Sequence, residues 1–474
     1  MQVSRKFYKN LNTANPLLSN VFCADPYGFE YKGRLYIYGT NDNQQYKLVG
    51  DSGKNTYEHI KSLVCFSTDD LVNWTYHGVL DVQTLAPFIL SAWSPAIVYK
   101  KEDDGLDHFY MYFSNNGCGV CVLTSTSPLG PWKSPLNKPL IEVGMAGIEE
   151  LNNPFDPGVC IDDDGDAWLS FGAGTTKTGT DLYPGTARIV KLGKDMISLE
   201  SDFVEVKAPY FFEASDLNYI NGTYVYNYNN SWVERKEWPY DVEAPAECSM
   251  AYLTSKTPLD SASWVYQKHY FLNPGQQGLN YSNNHTHICK FQGTWYILYH
   301  TLTLQENTQT NGGFRSICMD KLDIDEQKID IKLSRGTRQG LSPIKNLNAF
   351  EKVQATCSFT SADIEYENEI MGSGQIAVKA KESGAWIMIK NVDFGKGAKE
   401  IQMELKGSGS LNFRIDKISS KSLAVLEINE KPSLENINSY ETSSARVESP
   451  ISGIHDVFLL FSDKDLCLKN WNLK

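Results

Sequence analysis

Along most of the chain the apolar positions do not fall at helical spacing. They gather in short runs of aromatic and β-branched residues, each entered from a Gly, Asp or Asn turn. Five runs stand out: Gly33–Thr40 (GRLYIYGT), Asp107–Ser114 (DHFYMYFS), Asp166–Gly172 (DAWLSFG), Gly222–Tyr228 (GTYVYNY) and Gly293–His300 (GTWYILYH). Each predicts a strand leaving a tight turn, and their starts recur at intervals of 56 to 74 residues. A second element sits between them: Ser67–Trp74, Ser125–Trp132 and Ser255–Trp264 each run from a Ser through a turn to a closing Trp. An all-strand repeat of this size predicts propeller blades, because a four-stranded unit buries its faces only by stacking on neighbours. The count predicts five blades, with longer loops than in the common propeller repeats of about 40–50 residues. A row of β-sandwiches is the alternative, but it leaves the repeated Ser-turn-Trp without a cause.

The repeat fades after Gly313–Asp320, and residues 334–350 are polar and turn-rich, as a connection would be. Beyond them come shorter alternating strands, Gln375–Ala380 and Trp386–Lys390, with few Trp. The pattern therefore predicts an all-β protein: a five-bladed β-propeller over residues 1–340, then a β-sandwich of jelly-roll type over 350–474.

Composition narrows the class. The 474 residues carry 44 Lys+Arg against 57 Asp+Glu, a net charge of −13, which argues against a nucleic-acid or anionic-membrane partner. No segment approaches the ~18 unbroken apolar residues of a membrane span. Met1–Asn10 has charge without an apolar stretch behind it, so no signal peptide is expected. Aromatics are abundant, with 26 Tyr, 21 Phe and 10 Trp, as in many proteins that stack sugar rings. The ten cysteines are scattered singly apart from Cys118 and Cys121. A C-x-x-C can be redox-active or half of a zinc site, but here no second pair and no helical pattern follow it, so the thiols are expected to be buried. The even number also allows disulfides, which a chain of this length does not need. Reduced thiols without a leader point to the cytoplasm; a leader already removed would make the protein secreted.

Three acidic residues sit among apolar neighbours where strands begin: Asp25 in FCADPY, Asp156 in NPFDPG and Glu213 in PYFFEA. The Pro after each Asp predicts extended geometry for it. Phe211 and Phe212 are expected to desolvate Glu213 and raise its pKa, as a general acid requires. Inner strands of a propeller converge on its axis, so carboxylates opening different blades can meet in one pocket. That suits glycoside hydrolysis, with one acid on the leaving oxygen and one base on water. Taken singly, each residue reads more readily as a turn-capping Asp or a satisfied Glu than as a catalytic group; three in register across blades shift the balance toward the shared pocket.

On these residues the chain, over about 15–340, resembles glycoside hydrolase family 43, five-bladed propellers that cleave arabinose- or xylose-containing polysaccharides. Asn15-Pro-Leu-Leu with Ala24-Asp25-Pro26 is similar to the motif carrying the general base. Asn153-Pro-Phe155-Asp156-Pro resembles the segment whose Asp orients the acid and tunes its pKa, with Phe155 beside the sugar, and Glu213 falls where the family has its acid. Asn284-His285 followed by Trp295–His300 resembles the axial His motif, which implies sugar contact at His285 and a structural calcium held through water. Phe314-Arg315-Ser-Ile-Cys318 is similar to the substrate-side Arg segment. Ala92-Trp93-Ser94-Pro95 resembles a sugar-contacting Trp-Ala-Pro, with Ser94 where Ala is usual. The implied reaction is inverting and needs no cofactor: water on Asp25 attacks the anomeric carbon while Glu213 protonates the departing oxygen. It implies carboxyls about 6.5–9.5 Å apart; a spacing near 5 Å would suit retention.

Two decoys compete. Asp162-Asp-Asp-Gly-Asp166 resembles a calcium loop but lacks the EF-hand offsets, so a hairpin turn on Asp164-Gly165 is expected. His285-Thr-His287 places two imidazoles on one strand face without a visible third zinc ligand. The C-terminal part resembles a family 6 carbohydrate-binding module through Gly384-Ala-Trp386, Asn391–Gly395 (NVDFG), Phe413–Asp416 and Gly453–Phe461. That implies sugar contacts at Trp386, Tyr440 and Asn470, although a loop Trp expected near Tyr440 is absent. The expectation is an exo-acting α-L-arabinofuranosidase on arabinoxylan, arabino-oligosaccharides or xylo-oligosaccharides, with no nucleic-acid or membrane partner. A β-xylosidase is the rival within the class, and a non-catalytic sugar-binding propeller the rival outside it.

Overall fold

Each of the five aromatic runs is the second strand of a hairpin, entered through a glycine in the left-handed region. Gly33, Gly105, Gly165, Gly222 and Gly293 all have φ of 75–79°, where a side chain would be strained. The computed structural model describes residues 9–174, 181–374, 376–428 and 439–474. Residues 1–8, on which the leader expectation rests, and Gln375, expected to open a strand, lie outside the described residues.

The fold is all-β, with three short α-helices among the described residues, α1 (Asp42–Val49), α2 (Val82–Leu85) and α3 (Thr303–Thr308). Sheet one holds β1 (Ala24–Tyr31), β2 (Arg34–Thr40), β3 (Leu63–Thr68) and β4 (Trp74–Leu80). Sheet two holds β5 (Trp93–Lys101), β6 (Asp107–Ser114), β7 (Gly119–Ser125) and β8 (Ile141–Glu142). Sheet three holds β9 (Gly158–Ile161), β10 (Ala167–Phe171), β11 (Arg188–Lys191) and β12 (Val204–Glu205). Sheet four holds β13 (Phe211–Ile220), β14 (Thr223–Asn230), β15 (Met250–Ser255) and β16 (Val265–Phe271). Sheet five holds β17 (Thr286–Phe291), β18 (Thr294–Thr301) and β19 (Ser316–Lys321), and a hairpin of β20 (Ile324–Asp325) and β21 (Asp330–Ile331) follows.

The pairings among β1–β21 are all antiparallel between sequence neighbours, and among the described residues no sheet closes on itself. Their first strands contact one another in a circuit: β1 packs on β5, β5 on β9, β9 on β13, β13 on β17 and β17 on β1. The segment before β1 runs along sheet five, with Leu17 N bonded to Ile317 O at 2.9 Å and Cys23 N to Arg315 O at 2.9 Å. Asn15 fastens it, donating to Thr337 O at 2.8 Å while its own carbonyl accepts from Met319 N at 2.9 Å.

The repeated Ser-turn-Trp is the hairpin from third to fourth strand. Ser125 and Ser255 accept from the backbone two residues on, at 3.1 and 2.9 Å, and Trp74, Trp132 and Trp264 close the turns as buried plugs. Asp164-Gly165 makes the predicted hairpin turn. The Asp162 carboxylate is consumed by Asp164 N, Asp166 N, Trp168 Nε1 and Tyr224 OH at 2.6–3.0 Å, so the run is a turn scaffold and not a calcium loop. All ten thiols are free, but Cys118 departs from the expectation of burial: it occupies the β6–β7 turn, where its side chain faces solvent.

The C-terminal part contains β22 (Leu347–Asn348), β23 (Val353–Gln354), β24 (Cys357–Ser358), β25 (Thr360–Ala362), β26 (Ile364–Glu367), β27 (Ala377–Ala380), β28 (Trp386–Asp393), β29 (Ala398–Lys406), β30 (Ser410–Ile415), β31 (Ala424–Glu427), β32 (Glu441–Ile451), β33 (Ile454–Phe461) and β34 (Cys467–Leu473). All but β24 form two six-stranded sheets around a shared core that includes Ile387, Met403, Leu459 and Trp471. Strand β24 instead pairs with β4, giving sheet one a fifth strand from the far end of the chain.

Candidate active site

The first strands do not enter their sheets smoothly. Register shifts interrupt β1 between Ala24 and Tyr27, β5 between Trp93 and Ala96, and β13 between Glu213 and Asp216. Such bulges turn a side chain out of the pleat alternation and toward a new direction. Asp25, Ser94 and Asp156, each followed by Pro, have φ of 48, 47 and 51°, and Ala214 beside Glu213 has 55°. The extended geometry expected from the following Pro is thus overturned for both aspartates: they lie in the left-handed region. This is a costly conformation held by the surrounding bonds.

Those bonds form a belt from sheet to sheet. Ser94 N donates to Thr40 Oγ1 at 2.8 Å, and Asp156 N to Ser114 Oγ at 2.8 Å. Ser170 and Ser215 share a hydroxyl bond at 3.2 Å, and Asn284 Nδ2 donates to Cys248 O at 3.1 Å. Asp25 N, donating to His300 Nδ1 at 3.2 Å, links sheet five back to sheet one. The donors and acceptors lie where first and second strands meet the same end of the circuit, and they aim the carboxylates inward.

There the structure brings together Asp25, Asp156 and Glu213 with Trp93, Phe155, His285 and Arg315, all lining one cavity of about 150 Å³. Tyr57 and Asn283 complete its wall. At about 30 Å³ per water the space holds roughly five waters, the scale of one sugar ring and not of a chain.

Asp25 accepts from Thr40 Oγ1 at 2.7 Å and from Arg315 Nη1 at 2.9 Å, with His285 Nδ1 3.5 Å away. Burial by itself would raise its pKa, but the Arg315 guanidinium, then His300 and His285, hold the carboxyl well below the usual range. Glu213 has the opposite balance. Burial, then the Asp156 and Asp25 carboxylates, push it up to about 8 against the weaker pull of Arg315 and Asn283. Phe211 does not supply that burial: its ring lies 5.8 Å from Tyr228 in the core of sheet four. Asp156 is itself raised, chiefly by burial; Ala214 N at 2.9 Å bonds its Oδ2, so it is tied to the strand that carries Glu213.

Sequence reasoning missed the residue that aims Arg315. Asp42, fully buried at the start of α1, accepts from Arg315 Nε at 2.9 Å, Nη2 at 2.8 Å and its backbone N at 3.0 Å. The guanidinium is thereby fixed with Nη1 toward Asp25 and Cζ 4.9 Å from the centroid of the Tyr57 ring. An acid directly after the buried run Gly33–Thr40 was the available signal. Trp93 is positioned similarly, its Nε1 donating to Tyr57 O at 3.3 Å.

Other expected contacts fall elsewhere. His287 is no zinc ligand: Nδ1 bonds Asp216 Oδ1 at 3.0 Å, Nε2 bonds Gly28 O at 2.9 Å, and Tyr27 stacks on its ring. His285 lines the cavity with its Nδ1 3.5 Å from Asp25 Oδ1, and among the described residues no three His, Cys, Asp or Glu group as direct ligands of a metal. Trp386 is a correction. It is wholly enclosed with Ala14, Val72, Phe359 and Phe458, because β28 turns this face toward the first part of the chain, so it cannot stack on a sugar. Asn470 Nδ2 donates to Glu404 Oε2 at 2.9 Å beside a separate cavity, and Tyr440 lies under Lys406 and Lys469, 5.2 and 5.5 Å from its ring. Neither shares a cavity with Trp386, so the structure does not unite these three.

The family models for glycosyl hydrolases family 43 and for carbohydrate binding module family 6 match residues 13–329 and 354–474. An arabinoxylan arabinofuranohydrolase of Bacillus subtilis is 31% identical over 96% of this chain and 90% of its own length. One from Paenibacillus polymyxa is 30% identical over 97% and 73%. The crystal structure of a Bacillus subtilis family 43 arabinoxylan arabinofuranohydrolase, in complex with cellotetraose, superposes with a TM-score of 0.89 at 29% identity, covering 99% of both chains.

Proposed function

The chain belongs to glycosyl hydrolases family 43, and from that premise we propose that it is an inverting, exo-acting glycosidase that removes terminal α-L-arabinofuranosyl residues from arabinoxylan or its oligosaccharides. In this reading the circuit of five sheets is a five-bladed propeller over residues 1–340, and 350–474 is a β-sandwich module docked on it. Asp25, kept ionised by Arg315, is the base that takes a proton from water as it attacks the anomeric carbon. Glu213, neutral up to about pH 8, is the acid that protonates the departing oxygen. Asp156 raises the pKa of Glu213 and holds its strand. Trp93, Phe155, His285 and Arg315 embrace the pentose. The reaction in this reading needs no cofactor, and a structural calcium held through water at His285 is part of the same reading.

The observation that carries the proposal is one sugar-sized cavity that sets Asp25 against the Arg315 guanidinium and buries Glu213 beside two other carboxyls, surroundings that favour an ionised Asp25 and a protonated Glu213, the arrangement by which acid and base are assigned in such sites. The relatives' activity on arabinoxylan supports the pentose. Assay with nitrophenyl α-L-arabinofuranoside and β-D-xylopyranoside tests it: arabinose release is expected, and release of xylose alone would establish the xylosidase instead. Proton NMR of the first product should show the inverted anomer; the retained anomer would overturn the roles of Asp25 and Glu213. Inactivity on both, with sugar still bound, would leave a non-catalytic propeller.

A further inference from the structure

A cavity of about 640 Å³, larger than the catalytic one, lies apart from it and shares none of its lining residues. It lies where the two parts of the chain meet, lined on one side by Phe22, Asn43, Tyr46, Asn307 and Gln309 and on the other by Lys381. Amides, hydroxyls and one aromatic face converge there, and its size is that of a site for a ligand of several rings. The rings on its floor, Phe22 and Tyr46, pack with centroids 4.8 Å apart and are backed by the buried Phe314 at 5.5 and 5.2 Å. Lys381 and Asp51 are the only charged groups on the wall and have opposite signs, so the cavity selects for neither an anion nor a cation. Amide-rich walls over an aromatic floor match the alternating hydroxyls and C–H faces of a neutral sugar chain.

We infer that this cavity is a second carbohydrate site, taking an unsubstituted stretch of a xylose-based oligosaccharide while the catalytic cavity takes the arabinose; the choice of xylose rests on the reading above. Helix α1 serves both places. Its Asp42 fixes Arg315 against Asp25, and its Asn43 and Tyr46, one and four residues on, face the junction cavity. A polymer held at the junction is thereby tethered to the molecule that trims it, and the gain falls on long substrates alone.

The probe is xylotetraose, titrated calorimetrically into the whole protein and into the Asn307→Ala/Lys381→Ala double variant, which removes one exposed polar group from each side. Expected is a binding event that the double variant weakens at least tenfold, a KM for arabinoxylan polymer that rises severalfold, and unchanged kcat and KM on nitrophenyl arabinofuranoside. A crystal soaked with xylotetraose should show sugar against Tyr46 and Lys381. Equal affinity and equal KM in both proteins, or sugar found only outside the junction, would overturn the site. Failure of the substrate reading is separate: it appears as inactivity on the arabinofuranoside in the unaltered protein, whatever the titration shows.

Discussion

Asp25 and Glu213 are both carboxyls in one cavity, yet a guanidinium 2.9 Å from the first, and burial together with two carboxylates around the second, drive their protons in opposite directions. Glu213 acts while protonated, so activity should be level through neutral pH and fall as pH rises through about 8, read from kcat/KM against pH. In Asp156→Asn the carboxylate that raises Glu213 is gone, so the same limb should move to lower pH; an unmoved limb would show that Asp156 does not tune the acid. Glu213→Ala should cost about 10²–10⁴-fold in kcat on arabinoxylan and much less on nitrophenyl glycosides, whose leaving group needs no proton, with the melting temperature held. The legibility of these residues was uneven. Asp25, Asp156 and Glu213 announced themselves by apolar neighbours and register. Tyr57 and Asn283 did not, because each reaches the cavity from a loop between strands, where no periodicity marks a position, and Asp42, opening the short helix α1, reaches the site only through Arg315.

At the scale of the element, the bulged start of β1 presents Asp25, and β2 must pass close beneath it. A Cβ on Gly39 would meet Ala24 O and Ile317 Cδ1 at 2.7 Å each. Gly39→Ala should therefore destabilise the protein by about 1–3 kcal/mol and reduce kcat as well, since the strand that yields is the one carrying Asp25. Thermal melting alongside single-turnover assay separates the two effects. The hairpins themselves were readable from sequence, since an X-Gly turn before alternating aromatics depends only on neighbours along the chain. The left-handed aspartates were not: the local rule for a residue before Pro points to extended backbone, and it was bonds from Ser114, His300 and Ala214, each on another sheet, that overrode it.

For the whole molecule, the same lesson governs the C-terminal part. Its Trp386 resembled a ring offered to sugar, yet it is packed with Ala14 and Val72 from the opposite end of the chain, and β24 completes a sheet begun by β1. Trp386→Ala should cost about 3–5 kcal/mol in stability, as a buried aromatic does, and leave the KM for nitrophenyl arabinofuranoside unchanged; a rise in KM without loss of stability would restore it as a sugar contact. The C-terminal strands therefore brace sheet one, whose β1 carries Asp25.

The amino-acid order alone determined the all-strand character, the hairpin repeat and the acids at the strand starts, because alternation, left-handed glycines and apolar flanks are properties of adjacent residues. Only the folded chain decided which way those acids point, which of them keeps its proton, and which tryptophans are closed to ligand. Direction and protonation depend on distances between groups hundreds of residues apart, such as Asp25 and Arg315, and burial of a ring depends on what another segment lays over it.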